Sequence, residues 1–319
     1  MHRSRVDVEP TDEFNQQCLD TLNQWQAGDL SFEVAANRLR TLKREVEDKH
    51  LANEARAEMI LGIMQGYRAN FNLALQHFER ARDMFTKLGN DRRVMTCLLN
   101  IGETYRQMGD FNRAQRFLGD AYDMAVKQEH LRTQTVALSN RGQALVQMGR
   151  YDEALELLEK AYLQYPEWGD MQNPDTDLLS EIHHALARIY LEQGIVEAAW
   201  QQGKESYQMA QKSNKPMSVG FSNRTMAEVL TALDGIPTED AQAFPLDIDS
   251  YFQQAQHAFR EIGLEGELAR TMFAQAKSLS TRGRRVQAAR RLQEAIILFS
   301  KLGMVDDATK AAELQTEIF

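Results

Sequence analysis

Three glycines, Gly62, Gly102 and Gly142, stand forty residues apart, and two ladders of alanine keep step with them. Ala74, Ala114 and Ala154 form one ladder; Ala81, Ala121 and Ala161 form the other. A fixed period of this length marks a repeat array, in which each unit buries its apolar face only against its neighbours. The small residues say what the unit is. Two helices that cross at the close end of the usual range, roughly 8–10 Å between axes, need small side chains at the crossing. Gly or Ala on one helix facing Ala on the next therefore specifies an antiparallel helix pair. Larger residues such as Tyr105, Leu118, Leu145 and Leu158 fill the layer between the small ones. Gly109, Gly149, Gly194 and Gly283 fall where the first helix of a pair should end, and they predict a left-handed cap there.

The fullest unit reads Asn100-Ile101-Gly102-Glu103-Thr104-Tyr105-Arg106-Gln107-Met108-Gly109-Asp110-Phe111-Asn112-Arg113-Ala114, followed by Leu118 and Ala121. This pattern resembles the tetratricopeptide repeat. The next unit carries Gly142, Leu145, Gly149, Tyr151, Ala154, Leu158, Ala161 and Pro166, and the preceding one Leu61, Gly62, Phe71, Ala74, Phe78 and Ala81. A fourth has Leu186, Ala187, Tyr190, Gly194 and Ala199, with Gly203 and Ser206 at the later positions, where looser packing is expected. A sixth has Ala276, Leu279, Gly283, Ala288, Leu292 and Ala295. The period of forty is longer than that of the commonest version. In this the chain is similar to kinesin light chains, spindle-orientation adaptors and bacterial MalT-like and peptide-sensing regulators. A Phe-x-x-Leu-Gly helix ending at Phe85–Gly89 and Phe299–Gly303, varied at Phe259–Gly263, is similar to the bacterial subset. The resemblance implies an all-α fold, a right-handed superhelical solenoid of about seven helix pairs plus a C-terminal capping helix.

Along the chain, residues 1–12 are expected to be a flexible tail and residues 13–319 a single repeat domain. Regular repeats occupy 52–166, irregular ones 174–302, and a cap 304–319. Residues 14–27 and 31–49 read as an atypical terminal helix pair. Two interruptions stand out. The stretch around Trp168, from Tyr165 to Pro174, lengthens one connection, with Trp168 expected to pack as a staple. Residues 234–245 insert two prolines, a glycine and acidic residues into the fifth unit and read as a loop. This insertion is either a tolerated surface loop or part of a binding face, with Phe244 plugging the groove or capping a neighbour.

Composition narrows the function classes. A net charge of −9 argues against a general nucleic-acid binder, which needs basic residues in excess. Cys18 and Cys97, the two cysteines, are too few for a disulfide framework and fit a reducing compartment. The first ten residues hold no apolar core of a signal peptide, and no stretch has the length of a membrane span, so a cytoplasmic location without membrane contact is expected. No phosphate loop, nucleophile elbow or zinc-spaced cluster is present, and the adjacent His183 and His184 lie about 100° apart on a helix, too far round to share a metal. No catalytic residue, cofactor or metal is assigned, and catalysis is not expected. The 14 methionines read mostly as core-facing.

The resemblance places the first helix of each pair along a concave groove. In this register the peptide-binding candidates are Asn100, Glu103, Arg106, Asn140, Gln143, Gln147, His184, Arg188, Arg224 and Glu228, with Phe273 and Lys277 further on. Asn100 and Asn140 each stand two residues before the repeat glycine, as asparagines do in the peptide-binding adaptors the chain resembles. An amide offers both donor and acceptor to a peptide backbone. The expected partner is another protein or a peptide segment. The leading expectation is an adaptor or scaffold; the alternative is a bacterial sensor whose superhelix changes shape on binding a peptide. An enzyme or nucleic-acid factor using the basic run Arg282, Arg284, Arg285, Arg290 and Arg291 is a third, and self-association through terminal helices remains open.

Overall fold

In the computed structural model, residues 8–318 are described. The chain clusters into two compact units, Met1–Arg141 and Gly142–Phe319, where one continuous domain was expected. In the first unit α1 (Asp12–Gln26) pairs with α2 (Phe32–Val46), α3 (Leu51–Tyr67) with α4 (Phe71–Leu88), and α5 (Asp91–Met108) with α6 (Phe111–Lys127). The division falls within α7 (Leu131–Gln147), whose following helix is α8 (Tyr151–Gln164). In the second unit α9 (Thr176–Glu192) pairs with α10 (Val196–Ser213), α11 (Pro216–Ala232) with α12 (Ile248–Glu261), and α13 (Glu265–Thr281) with α14 (Arg285–Leu302). The last helix, α15 (Val305–Ile318), lies on α14 and α13, with Ala311 buried beside Ala269, Ala295 and Phe299. Seven pairs, a cap and one short 3-10 turn at Tyr165–Glu167 make up the regular structure among the described residues, with no strand.

The glycine ladder does what its spacing predicts. A methyl group built on Gly102 would stand 2.6 Å from Leu118 Cγ; on Gly142, 2.6 Å from Leu158 Cγ; on Gly62, 2.6 Å from a Phe78 ring carbon. Each glycine therefore lets its helix close on the large side chain of its partner, and that side chain is buried. Gly109, Gly149, Gly194 and Gly283 adopt φ of +83°, +73°, +73° and +74°, the left-handed caps expected. The Phe-x-x-Leu-Gly ending also has a physical meaning. The fully buried Phe85, Phe259 and Phe299 each accept, at the main-chain carbonyl, the amide just beyond the glycine: Asn90, Leu264 and Met304. One residue thus anchors the helix in the core and closes its end.

Three expectations are revised. Residues 8–12 of the proposed tail are held in place, and residues 1–7 lie outside the described part. Asn53 Oδ1 accepts from the Thr11 amide at 2.8 Å, Asn90 Nδ2 donates to the Val8 carbonyl at 2.9 Å, and Glu9 pairs with Arg93 at 3.0 Å. Thr11 in turn caps α1. Packing at Ser206 is close rather than loose: Ser180 and Ser206 each donate their hydroxyl to the other's carbonyl at 3.0 Å, an exchange that only small side chains permit. The insertion between α11 and α12 is packed against α10. Phe244, 3 % exposed, meets the rings of Trp200 and Tyr207 edge-on, and Asp240 accepts from Trp200 Nε1 at 2.6 Å and Lys204 Nζ at 2.9 Å. Phe244 therefore caps a neighbouring helix. Trp168 packs edge-on against the buried Tyr165 as a staple.

Candidate functional site

The candidate residues lie on first helices of their pairs: α5 and α7 for Asn100 to Gln147, α9 and α11 for His184 to Glu228. Each first helix turns its small residue toward its pair partner, so the residue following it faces a different side. That is why positions adjacent to Gly102, Gly142, Ala187 and Ala227 are polar while the small residues are buried.

In the first unit, Asn100 and Asn140 are half-buried, and neither side-chain amide bonds to a described residue. Two amide groups on first helices are thus left with full hydrogen-bonding capacity. Glu103 and Arg106 differ from the open groove contacts expected of them. Arg106 is 7 % exposed and grips Glu103 in a two-point ion pair at 2.6 and 2.7 Å, and Gln107 adds a bond to the same carboxylate at 2.9 Å. An i,i+3 pair on one helix face satisfies both charges locally. These two residues are engaged by the protein itself.

In the second unit, Gln143 and Gln147 are half-buried on the end of α7. His184 is buried and its Nδ1 meets the Thr225 hydroxyl across α9 and α11; the adjacent His183 bonds Gln202 instead, at 2.7 Å. Arg224 is 6 % exposed and pairs with Glu267 at 2.8 Å. Glu267 also holds Arg270 at 2.7 Å, and Arg270 reaches Asp307 at 3.1 Å. Sequence reasoning missed Glu267, Arg270 and Asp307, because alternating charges forty residues apart look like any solvated surface. Burial would raise the Glu267 carboxyl, but Arg224 and Arg270 beside it outweigh that and hold it well below the usual carboxylate range.

Arg188 and Glu228 stand outside this closed chain of ion pairs. Both are half-buried. Burial lowers the Arg188 guanidinium below its ordinary value, and Glu228 is the charge that most opposes the shift. Yet the two make no ion pair, and Glu228 Oε2 is buried without a hydrogen-bond partner. A charged oxygen shielded from water and left unpaired is costly, and such groups call for an explanation. Lys277, the corresponding residue of α13, is exposed and lies 5.8 Å over the Phe273 ring with no carboxylate partner among the described residues.

The basic run is partly engaged by the protein itself. In the basic run, Arg282 and Arg284 both pair with Asp249, at 2.7 and 2.8 Å, while Arg290 and Arg291 pair with Glu294, at 3.5 and 2.6 Å. The two carboxylates offset part of the positive charge of the run. Among the described residues no group of His, Cys, Asp and Glu has the geometry to hold a metal, and no helix is long and apolar enough to cross a membrane.

A family model described as tetratricopeptide repeat matches residues 53–125 and 133–212. No protein with a curated description matches the sequence. Among solved structures, the chain is similar to a Rap protein complexed with competence and sporulation factor, at 12 % identity over 100 % of this chain and 88 % of that one, TM-score 0.62. It is similar to the Rap conjugation gene regulator of plasmid pLS20 in complex with a Phr peptide, at 15 % identity over 93 % and 76 %, TM-score 0.69. The apo form of the quorum sensor NprR from B. thuringiensis matches at 14 % identity over 97 % and 88 %, TM-score 0.57. At these identities the likeness is one of fold.

Proposed function

Residues 53–125 and 133–212 make this chain a tetratricopeptide-repeat protein, and on that premise we propose that it binds a peptide or a protein segment along its first helices. The observation that carries the reading is the unmet polar capacity there: Arg188 and Glu228, half-buried and without an ion pair, beside the matched charges Arg224, Glu267, Arg270 and Asp307. A stable core does not leave such groups open unless something else meets them. The free amides of Asn100 and Asn140 extend the same property to the first unit. On this reading the chain is a non-catalytic adaptor or scaffold working in the cytoplasm.

The test is capture of the tagged chain from its native cell, in three forms. The wild type and an outer-surface variant, Leu163→Ser on the exposed face of α8, should bring down the same partner. The double variant Arg188→Ala with Glu228→Ala should lose it while keeping its helical circular dichroism. Retention of the partner by the double variant would overturn the assignment.

A second reading is favoured by the structural neighbours: a Rap protein complexed with competence and sporulation factor, a Rap conjugation gene regulator in complex with a peptide, and a quorum sensor. In it, ligand binding changes the arrangement of the repeats and so the exposure of an output surface. Small-angle scattering of the free and bound chain separates the two: a sensor changes its radius of gyration on binding, and a rigid adaptor does not.

A further inference from the structure

Arg188, Glu228 and Lys277 occupy one register position on successive first helices. Each follows directly on a buried alanine, Ala187, Ala227 or Ala276, that seats its helix against its partner. The three helices are neighbours, since α9 packs on α11 and α11 on α13. The column therefore runs across the repeats with charge plus, minus, plus. What separates it from the rest of the second unit is pairing. Arg224, Glu267, Arg270 and Asp307 on the same helices and the cap neutralise one another in an unbroken chain. Lys215 and Asp177, and Arg282 and Asp249, are likewise matched. The column is left open: Arg188 and Lys277 have no ion pair among the described residues, and Glu228 keeps a carboxylate oxygen shielded from water without a donor.

Resting on the peptide-binding reading above, we infer that this column selects an extended peptide whose charges run acid, base, acid at intervals of three residues. The interval follows from geometry. Packed helices stand about 9 Å apart, and an extended chain advances about 3.3 Å per residue, so one step from helix to helix spans about three residues. An acidic side chain meets the Arg188 guanidinium, a basic one meets Glu228, and a second acidic one meets the exposed ammonium of Lys277. The pattern reads the same in both directions, so it holds whichever way the peptide runs. It also rejects: a peptide of opposite order sets like charges against each other at three places, and like charges in a shielded groove discriminate strongly.

The probe is an immobilised array of seven-residue peptides, blocked at both ends. Asp, Lys or Ser is placed at the first, fourth and seventh positions, with the spacer residues varied. The full-length chain is applied at low salt. Peptides of the order Asp, Lys, Asp should bind at least about tenfold tighter than those of the order Lys, Asp, Lys, and the difference should shrink as salt rises. The Lys277→Glu variant, altered at an exposed side chain that makes no ion pair, should switch its preference at one end from Asp to Lys. Arg188→Glu with Glu228→Arg should reverse the order at the other two positions. Equal binding of both orders, or preferences unmoved by Lys277→Glu, would overturn the inference and leave peptide binding standing. Absence of binding by every peptide would overturn it too, whereas the peptide-binding reading falls only if the partner stays on the Arg188 and Glu228 double-alanine variant.

Discussion

At the residue scale, the second unit separates charges that serve the fold from charges left for something else. Glu267 belongs to the first kind. Between Arg224 and Arg270, and only 7 % exposed, it is the centre of the network. Glu267→Gln strands the Arg224 guanidinium and leaves Arg270 to Asp307, and the cost should be about 3 kcal/mol in urea unfolding at neutral pH. The sign of its pH dependence follows from the depressed carboxyl. Stability from a depressed carboxyl is fully present above the unfolded-state value, about 4.3, and is lost as pH falls toward the folded-state value. The gap between wild type and Glu267→Gln should therefore stay constant from neutral pH down to about 5 and narrow below about 4. A gap that widened on acidification would refute the assignment. None of this network was legible in the sequence, because pairing depends on which rotamers meet across helices. Arg224 was placed correctly on its helix, but its engagement with Glu267 was visible only once α11 and α13 were side by side.

At the scale of the element, the sequence was far more informative, because helix pairing is dictated by size at fixed intervals. Gly102 and Gly119 give a paired prediction of opposite sign. A methyl on Gly102 meets Leu118 Cγ at 2.6 Å and the Leu118 amide nitrogen at 3.3 Å, and a backbone atom does not yield. Gly102→Ala should destabilise by about 1–2 kcal/mol despite its gain in helix propensity. A methyl on Gly119, inside α6, meets nothing within 4 Å, so Gly119→Ala should stabilise by about 0.5–1 kcal/mol. Thermal or urea unfolding reads both, and equal effects would mean that the glycine ladder is not a packing device. The insertion shows where element reasoning stopped. Its prolines and glycine identified a loop, but the seat of Phe244 against Trp200 and Tyr207 depends on residues about forty positions away. Ser206 taught the same lesson: at the ladder's alanine position a serine makes a reciprocal hydroxyl exchange with Ser180, which spacing alone does not reveal.

At the scale of the whole molecule, the seven pairs and terminal cap were readable from periodicity, since a solenoid repeats one local rule. The site was readable only in part. Register alone put Asn100, Asn140, Arg188 and Glu228 on first helices. Which of the ten candidates are engaged by the protein itself, as Glu103, Arg106, His184 and Arg224 are, needed the side-chain contacts. The account comes down to where a polypeptide lies, and site-specific photocrosslinking reads that directly. A benzophenone amino acid is placed in turn at Asn140 and Gln147, on a first helix, and at Leu163 and Ile297, exposed on second helices. The chain is irradiated in its native cell and the adducts are mapped by mass spectrometry. First-helix probes should yield adducts to one common polypeptide, and second-helix probes should yield none to it. Adducts to that polypeptide from Leu163 or Ile297, with none from Asn140 and Gln147, would contradict the account.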